Sequence, residues 1–291
     1  MAKLHVIDGT YELYRAHYSK RPGRIAPDGL DVKGTLGVMS SLLSLIADVQ
    51  EEVTHIAVAF DNPIESFRNR MFDGYKTGEG MEEVLVAQMD LVEAAVMALG
   101  IVVWSMDDFE ADDALATAAH KYLADVDQVR IMTADKDLGQ CVVGQQVVQV
   151  DRMRERVFDE AGVVNRNGVS PESIPDWLGL VGDTADGIPG LPGFGAKSSS
   201  ILLQEYRHIE QIPLEADAWS VTVRGAPRLA ATLAEHREDA LLYRNLAVLR
   251  TDVPLPHSFA DLLWQGAPQG LFEDMAKRLG GIAARPAHWI G

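Results

Sequence analysis

Cysteine is almost missing from this chain. Cys141 stands alone among 291 residues, which excludes an intrachain disulfide and fits a reducing compartment. Within "DLGQCVV" it reads as a small core residue, not a nucleophile. Long apolar runs are missing too, so no membrane span is expected. The N-terminus "MAKLHVIDGT" has one lysine and lacks a signal-peptide apolar stretch and cleavage site. A cytoplasmic location follows as the expectation. Positive charge is scarce: 26 Lys and Arg face 43 Asp and Glu, for a formal net charge of −17. Alone, that argues against a nucleic-acid partner, which selects a basic footprint. The basic residues are unevenly placed, however, in "SKRPGR" (19–24), "FRNRMFDGYK" (67–76), "DRMRER" (151–156) and "VRGAPR" (223–228). Each island by itself is ordinary solvated surface.

The chain has no shortage of apolar residues. They make up 47% of it, enough for one large or two closely joined domains. In the first half, short β-rich runs alternate with helical ones. "KLHVID", "THIAVAFD", "IVVWSM" and "VRIMTAD" are predicted strands. "YELYRAHY", "GTLGVMSSLLSLIADVQ", "VLVAQMDLVEAAVMALG" and "EADDALATAAHKYLADV" are predicted helices. This βαβ rhythm implies a mostly parallel sheet flanked by helices.

Acids mark the strand ends. Asp8, Asp61 and Asp135 each close a predicted strand, and ligands in open α/β sheets sit beyond the carboxyl ends of strands. The "EADDALA" helix opens at the same edge with Glu110, Asp112 and Asp113, and Asp137 lies two residues past Asp135. Acids in a first helical turn are stabilised by the dipole, by roughly 0.3–1 kcal/mol each. Two carboxylates 4 Å apart repel by about 1 kcal/mol in water and about 4 kcal/mol at an effective dielectric near 20. In a cleft repulsion wins, and a hard divalent cation is what an all-oxygen cluster selects. No comparable set of Lys or Arg is seen alternating with these acids. The eight histidines are scattered and show no zinc spacing. An aspartyl-nucleophile phosphotransferase would need D-x-D-G-T, but "VIDGT" places Val6 at the first position. Metal-assisted phosphodiester hydrolysis, with two ions about 3.5–4 Å apart, needs only carboxylates.

The second half is rich in glycine and proline. "DWLGLVGDTADGIPGLPGFGAKSSSILL" (176–203) places Asp183 and Asp186 three apart, then a turn and a helix starting near Ala196. Backbone N–H groups before a helix N-terminus can bind a phosphate without reading a base. Lys197 would add charge there.

These stretches resemble the 5′-nuclease family, which comprises the 5′→3′ exonuclease domain of bacterial DNA polymerase I and stand-alone flap endonucleases. The matching segments are "VIDGTYELYRAHY", "AVAFDNPIESFRNRMFDGYK", "EADDALATAA", "TADKDL" and "GDTADGIPGLPGFGAKSSSILL", with a weaker match through "GAPRLAATLAEHREDALLYRNLAVLRTDVPL". With no polymerase region following, the free-standing form is expected. The resemblance implies a PIN-like nuclease core at 1–165, with an arch at about 70–95. It implies a helical region at 166–291 containing a helix–three-turn–helix element at about 174–205. It makes Asp8, Asp61, Glu110, Asp112, Asp113, Asp135, Asp137, Asp183 and Asp186 metal ligands for two or more Mg²⁺ or Mn²⁺ ions. It puts Tyr75 and Lys76 at the arch base, with Lys76 on the scissile phosphate, and Arg15 and Arg68 near the site. Gly193, Gly195 and Lys197 would contact duplex DNA, with a K⁺ on backbone carbonyls around the two glycines. The implied partner is DNA with 5′ flaps or free 5′ ends, cut in replication and repair by a monomer without organic cofactor, nucleoid-associated when acting.

One feature departs from the pattern. Glu79 stands where the family carries a second basic residue, Glu82 and Glu83 follow, and no Lys or Arg occurs between Lys76 and Lys121. An acidic arch disfavours phosphate. The rival readings are therefore a PIN-like ribonuclease and a junction-binding protein that cuts poorly. Within the helix, Glu110 and Asp113 are expected to share a face at i, i+3, and Asp112 to reach its metal through water. The tail, 256–291, is expected to dock an amphipathic helix, "LFEDMAKRLGGI".

Overall fold

In the computed structural model, which describes residues 2–291, the first strand shows why the sheet is interior. Five of the six residues of β1 (Lys3–Asp8) are buried, a two-faced burial that suits a central parallel strand. The chain continues through α1 (Gly9–His17), α2 (Lys33–Ala47), β2 (His55–Asp61), α3 (Glu83–Val86), α4 (Met89–Met97), β3 (Val102–Met106), α5 (Ala111–Lys121) and β4 (Gln128–Met132). β1 pairs in parallel with β2 and with β4, and β2 pairs in parallel with β3. The spatial order β3-β2-β1-β4 therefore leaves all four carboxyl ends on one edge. The α/β reading of the sequence holds. Val38, Met39 and Leu42 of α2 and Ala114, Leu115 and Ala118 of α5 are fully buried.

Two predicted elements change. The long helix expected over 84–100 is broken at Gln88. That side chain is fully buried; its carbonyl accepts from Thr35 N at 3.1 Å and its amide donates to Val84 O at 3.1 Å. A buried amide that bonds the local backbone competes with the helical ladder. The strand ending at Asp135 stops instead at Met132, so Asp135 lies three residues beyond it and opens a 3₁₀ turn over Lys136–Cys141. Cys141 at the end of that turn is half-buried, not a core residue.

By packing, the chain forms two compact units. The first holds residues 1–66, 78–133 and 250–291; the second holds 67–77 and 134–249. This partition by packing is drawn differently from the consecutive 1–165 and 166–291 division expected from the sequence, because the tail returns to the first unit. There, Trp264 donates from its backbone to Thr54 O and from its indole to Leu99 O. The amphipathic tail helix is present over Gln269–Arg278, and it buries Phe272 and Met275.

The second unit carries an antiparallel hairpin, β5 (Val147–Asp151) and β6 (Arg156–Phe158), then α6 (Glu160–Asn167), α7 (Ile174–Val181), α8 (Ala196–Tyr206), α9 (Ala226–Glu235) and α10 (Arg237–Ala247). The first unit resumes with β7 (Ala267–Pro268), α11 (Gln269–Arg278) and β8 (Trp289–Ile290). α7 and α10 approach closely at Gly179, where a Cβ would meet Ala240 O at 2.8 Å and Arg244 N at 2.9 Å. The apolar core of this unit joins Ile174 and Leu178 of α7 to Leu202, Leu233 and Leu246. No helix among the described residues is long and apolar enough to cross a membrane.

Candidate active site

In the first unit the acids sit at the carboxyl edge of the sheet, and each has hydrogen-bond donors of its own. Asp8 caps α1, accepting from Tyr11 N at 2.8 Å, and its second oxygen accepts from Thr133 Oγ1 at 3.1 Å. Asp61 reaches from the end of β2 to the N-terminus of α5 and accepts from Ala111 N at 2.7 Å. Glu110 is buried and accepts from Ser66 Oγ at 2.7 Å. Asp113 is fully buried; one oxygen accepts from Glu110 N at 3.0 Å and the other from Arg250 N at 2.8 Å.

This corrects one expectation. Glu110 does not share a helical face with Asp113, because it precedes the helix in extended conformation (φ −102°, ψ 160°). The helix N-terminus and the backbone amides around it favour these charges. Asp113 in particular works as a clasp between α5 and the 250s segment. Asp112 is half-exposed.

In the second unit, Asp135, Asp186 and Asp183 lie close enough to Asp137 to repel its charged form. Asp135 accepts from Asp137 N at 2.9 Å, which fixes the 3₁₀ turn. Asp183 accepts from Ala185 N at 2.8 Å. The Asp137 carboxyl is pushed well above the usual carboxylate range, first by burial, then by Asp135, Asp186 and Asp183; Lys136 opposes the shift. Its buried Oδ1 has no hydrogen-bond partner among the described residues.

Two lysines temper this charge. Lys76 Nζ lies 2.9 Å from Asp186 Oδ1, and Lys136 Nζ lies 2.7 Å from Asp183 Oδ2. Burial alone would raise the Asp183 carboxyl, but the Lys136 hydrogen bond and the Ala185 amide hold it below its ordinary value. Burial pulls the Lys136 ammonium down, and Asp183 with its neighbouring acids more than offsets it. Lys136 was missed in the sequence, although "TADKDL" places it between two of the acids.

The position of Lys76 follows from a close backbone approach. Lys76 N donates to Asp186 O at 3.0 Å. Beside it, Gly187 has φ +74°, and a Cβ there would lie 2.1 Å from Gly74 O. Only glycine lets these two segments join.

The other expected basic and aromatic residues are placed as follows. Tyr75 is a buried member of the second unit's core, and the centroid of its ring lies 5.7 Å from Lys76 Nζ. Arg68 is 1% exposed; it donates through Nε to Leu246 O at 2.7 Å and through Nη2 to Val248 O at 2.9 Å. These two bonds tie the 67–70 turn to the end of α10 and the residue that follows it. Arg15 pairs with Glu12 on its own helix and donates to Ser41 Oγ at 3.1 Å.

At the glycine turn, Gly193 (φ +86°) and Gly195 are exposed ahead of α8, and Lys197 is exposed in its first turn. A Cβ on Gly195 would meet nothing within 4 Å, and its N–H donates to Ser198 Oγ at 3.1 Å. In the segment expected to form the arch, Glu82 takes two contacts from α1: His17 Nε2 at 3.3 Å and Tyr18 OH at 3.2 Å. Glu83 begins α3 and is exposed. Glu79 is exposed.

No three His, Cys, Asp or Glu side chains among the described residues converge as a ready metal cage. In the second unit, two acids instead hold ammonium groups. The donor set nevertheless fits a divalent cation there: all ligands are hard oxygens, one buried oxygen lacks a partner, and burial plus mutual repulsion penalise the charged form.

Comparisons with known proteins agree with this geometry. The 5′-3′ exonuclease N-terminal resolvase-like domain matches residues 3–168, and the 5′-3′ exonuclease C-terminal SAM fold matches 169–269. A 5′-3′ exonuclease of Aquifex aeolicus is 30% identical over 263 residues, 90% of this chain and 86% of that protein. DNA polymerase I of Pseudomonas aeruginosa is 35% identical over 277 residues. This match covers 92% of the chain and only 29% of the polymerase. Among solved structures, T5 5′-exonuclease with bound divalent zinc ions superposes with TM-score 0.68 at 17% identity, covering 95% of this chain and 99% of that one. The catalytic core of Rad2 in complex with DNA substrate superposes with TM-score 0.60 at 14% identity, covering 96% and 88%. At those identities the structures show a shared fold.

Proposed function

The chain belongs to the 5′-3′ exonuclease family, and on that premise we propose that it is a divalent-metal-dependent, structure-specific 5′ nuclease acting on DNA, with flap endonuclease and 5′→3′ exonuclease activity. The observation that carries this reading is the Asp135, Asp137, Asp183 and Asp186 group, with its unpartnered buried oxygen and two flanking lysines. Mg²⁺ or Mn²⁺ bound there would supply an acidified water and positive charge for in-line phosphodiester hydrolysis. In the first unit, Asp8, Asp61, Glu110 and Asp112 are the acids that fit a ligand role.

The chain's own residues do the rest. Asp135 orients the turn that presents Asp137. Lys76, held at the base of its segment by the Asp186 carbonyl, brings an ammonium to the charge that develops on the phosphate. The exposed turn at Gly193, Gly195 and Lys197 grips a phosphate of the duplex, and its backbone carbonyls would suit a K⁺ ion. Selectivity then comes from duplex shape and a free 5′ end, not base sequence.

The test is cleavage of a labelled 5′-flap duplex in Mn²⁺ by wild type and by Asp135→Asn. Endonucleolytic product near the branch is expected from wild type and is lost in the variant. If wild type leaves the flap intact across metals and salt, the nuclease reading is wrong. A matched RNA flap cut as well as the DNA flap would favour a ribonuclease instead.

A further inference from the structure

Lys136 has no part in the reaction just described, yet it is built into the acid group. Its Nζ sits on Asp183 Oδ2 at 2.7 Å and 5.8 Å from the centroid of the Trp177 ring. Asp183 cannot follow that ammonium if it leaves. Its other oxygen is held by Ala185 N, and its backbone pairs in both directions with Ile188. The lysine can leave. Its side chain is 42% exposed against 12% for Asp183, and it hangs on a flexible four-carbon stem. The main chain of Lys136 stays put meanwhile, because its carbonyl accepts from Arg166.

The geometry points to Lys136 as a displaceable internal counter-ion: its ammonium occupies the outer oxygen of Asp183 and yields that oxygen to a divalent cation. This rests on the reading of these acids as metal ligands and adds the residue that sets their affinity. An ammonium and a divalent cation on one carboxylate oxygen repel each other and compete for its electron density, so metal entry weakens or displaces the ammonium. The exchange has two signatures. Without metal, the ammonium relieves repulsion among Asp135, Asp137, Asp183 and Asp186. With metal, it competes.

Full-length wild type, Lys136→Met and Lys136→Arg are titrated with Mn²⁺, free ion being read by electron paramagnetic resonance. Thermal unfolding is followed with and without Mn²⁺. Lys136→Met should bind its weakest Mn²⁺ about fivefold more tightly, the scale of a half-exposed ion pair. Its metal-free form should melt below wild type, and its gain in melting temperature on adding Mn²⁺ should be the larger. Lys136→Arg, which keeps the charge, should follow wild type. Unchanged or weaker Mn²⁺ binding in Lys136→Met overturns the inference, as does Lys136→Arg behaving like Lys136→Met. Flap cleavage on the same preparations separates the two claims. Mn²⁺ binding that tightens in Lys136→Met while wild type leaves the flap uncut sinks the nuclease reading alone. Cleavage with unchanged binding sinks the counter-ion alone.

Discussion

Replacing Asp113 distinguishes a structural acid from a ligand by the sign of its effect on stability. Asp113 is fully buried and gives one oxygen to Glu110 N at 3.0 Å and the other to Arg250 N at 2.8 Å. Asp113→Asn keeps the shape but can offer only one acceptor; its amide then faces an N–H donor. Losing one charge-assisted bond costs about 1.5–3 kcal/mol. Asp113→Ala removes the acceptor from both buried amides and opens a small cavity, for about 3–5 kcal/mol. Against a total stability of about 5–15 kcal/mol, both losses are measurable. A carboxylate present only to bind metal behaves oppositely, since its removal relieves like-charge repulsion in the metal-free protein. The assay is urea unfolding in excess chelator, read by circular dichroism. An Asp113→Asn protein as stable as wild type, or more stable, would refute the clasp.

Three further outcomes follow from the same geometry. Asp137→Asn should stabilise the metal-free protein at pH 7, because the folded-state carboxyl titrates well above its unfolded value. In wild type that group's contribution is present at low pH and is lost as pH rises through the raised value, so melting temperature against pH should fall less steeply in the variant. Glu51 has the opposite sign. Burial would raise its carboxyl, but hydrogen bonds from His5 and the two-pronged Arg130 contact hold it at about 2, below its ordinary 4.5. Glu51→Gln should therefore lose about 1–3 kcal/mol at pH 7, and its deficit against wild type should shrink as pH falls from about 4.5 toward 2. Lys76→Ala should lower kcat on a 5′-flap substrate by about 10²–10³-fold, the scale of one charge-stabilising donor, with circular dichroism unchanged; an unaltered kcat would remove Lys76 from the reaction.

What the sequence made legible was set by local pattern. Strands β1 and β2 were readable, with Asp8 and Asp61 at their ends, because each is a buried apolar run closed by an acid, and parallel pairing puts such ends on one edge. Asp135 was misplaced by three residues since "MTA" continues the β-rich pattern beyond the last ladder pair, Ile7 with Met132. The burial of Tyr75 and the clasp made by Arg68 were not readable. Arg68 meets carbonyls 178 and 180 positions away, and no periodicity carries that information. The same holds for Lys76 with Asp186. The family resemblance supplied those two residues separately, and only folding reveals that they touch.

The acidic segment shows why a charge counted in sequence is a poor guide to its field. Glu79, Glu82 and Glu83 were expected to repel an incoming single strand together. In the structure they are not equivalent. Glu82 is spent on His17 and Tyr18, tying the segment ahead of α3 to α1. Its side chain stays 56% exposed, and the two hydrogen bonds draw part of its charge toward His17 and Tyr18. Glu83 begins α3, where the helix dipole offsets part of its charge. The repulsion that would make this protein a poor nuclease is thus smaller than a count of three acids suggests. Lys76, 25% exposed and 2.9 Å from Asp186 Oδ1, would offer its ammonium to a phosphate in the proposed reaction.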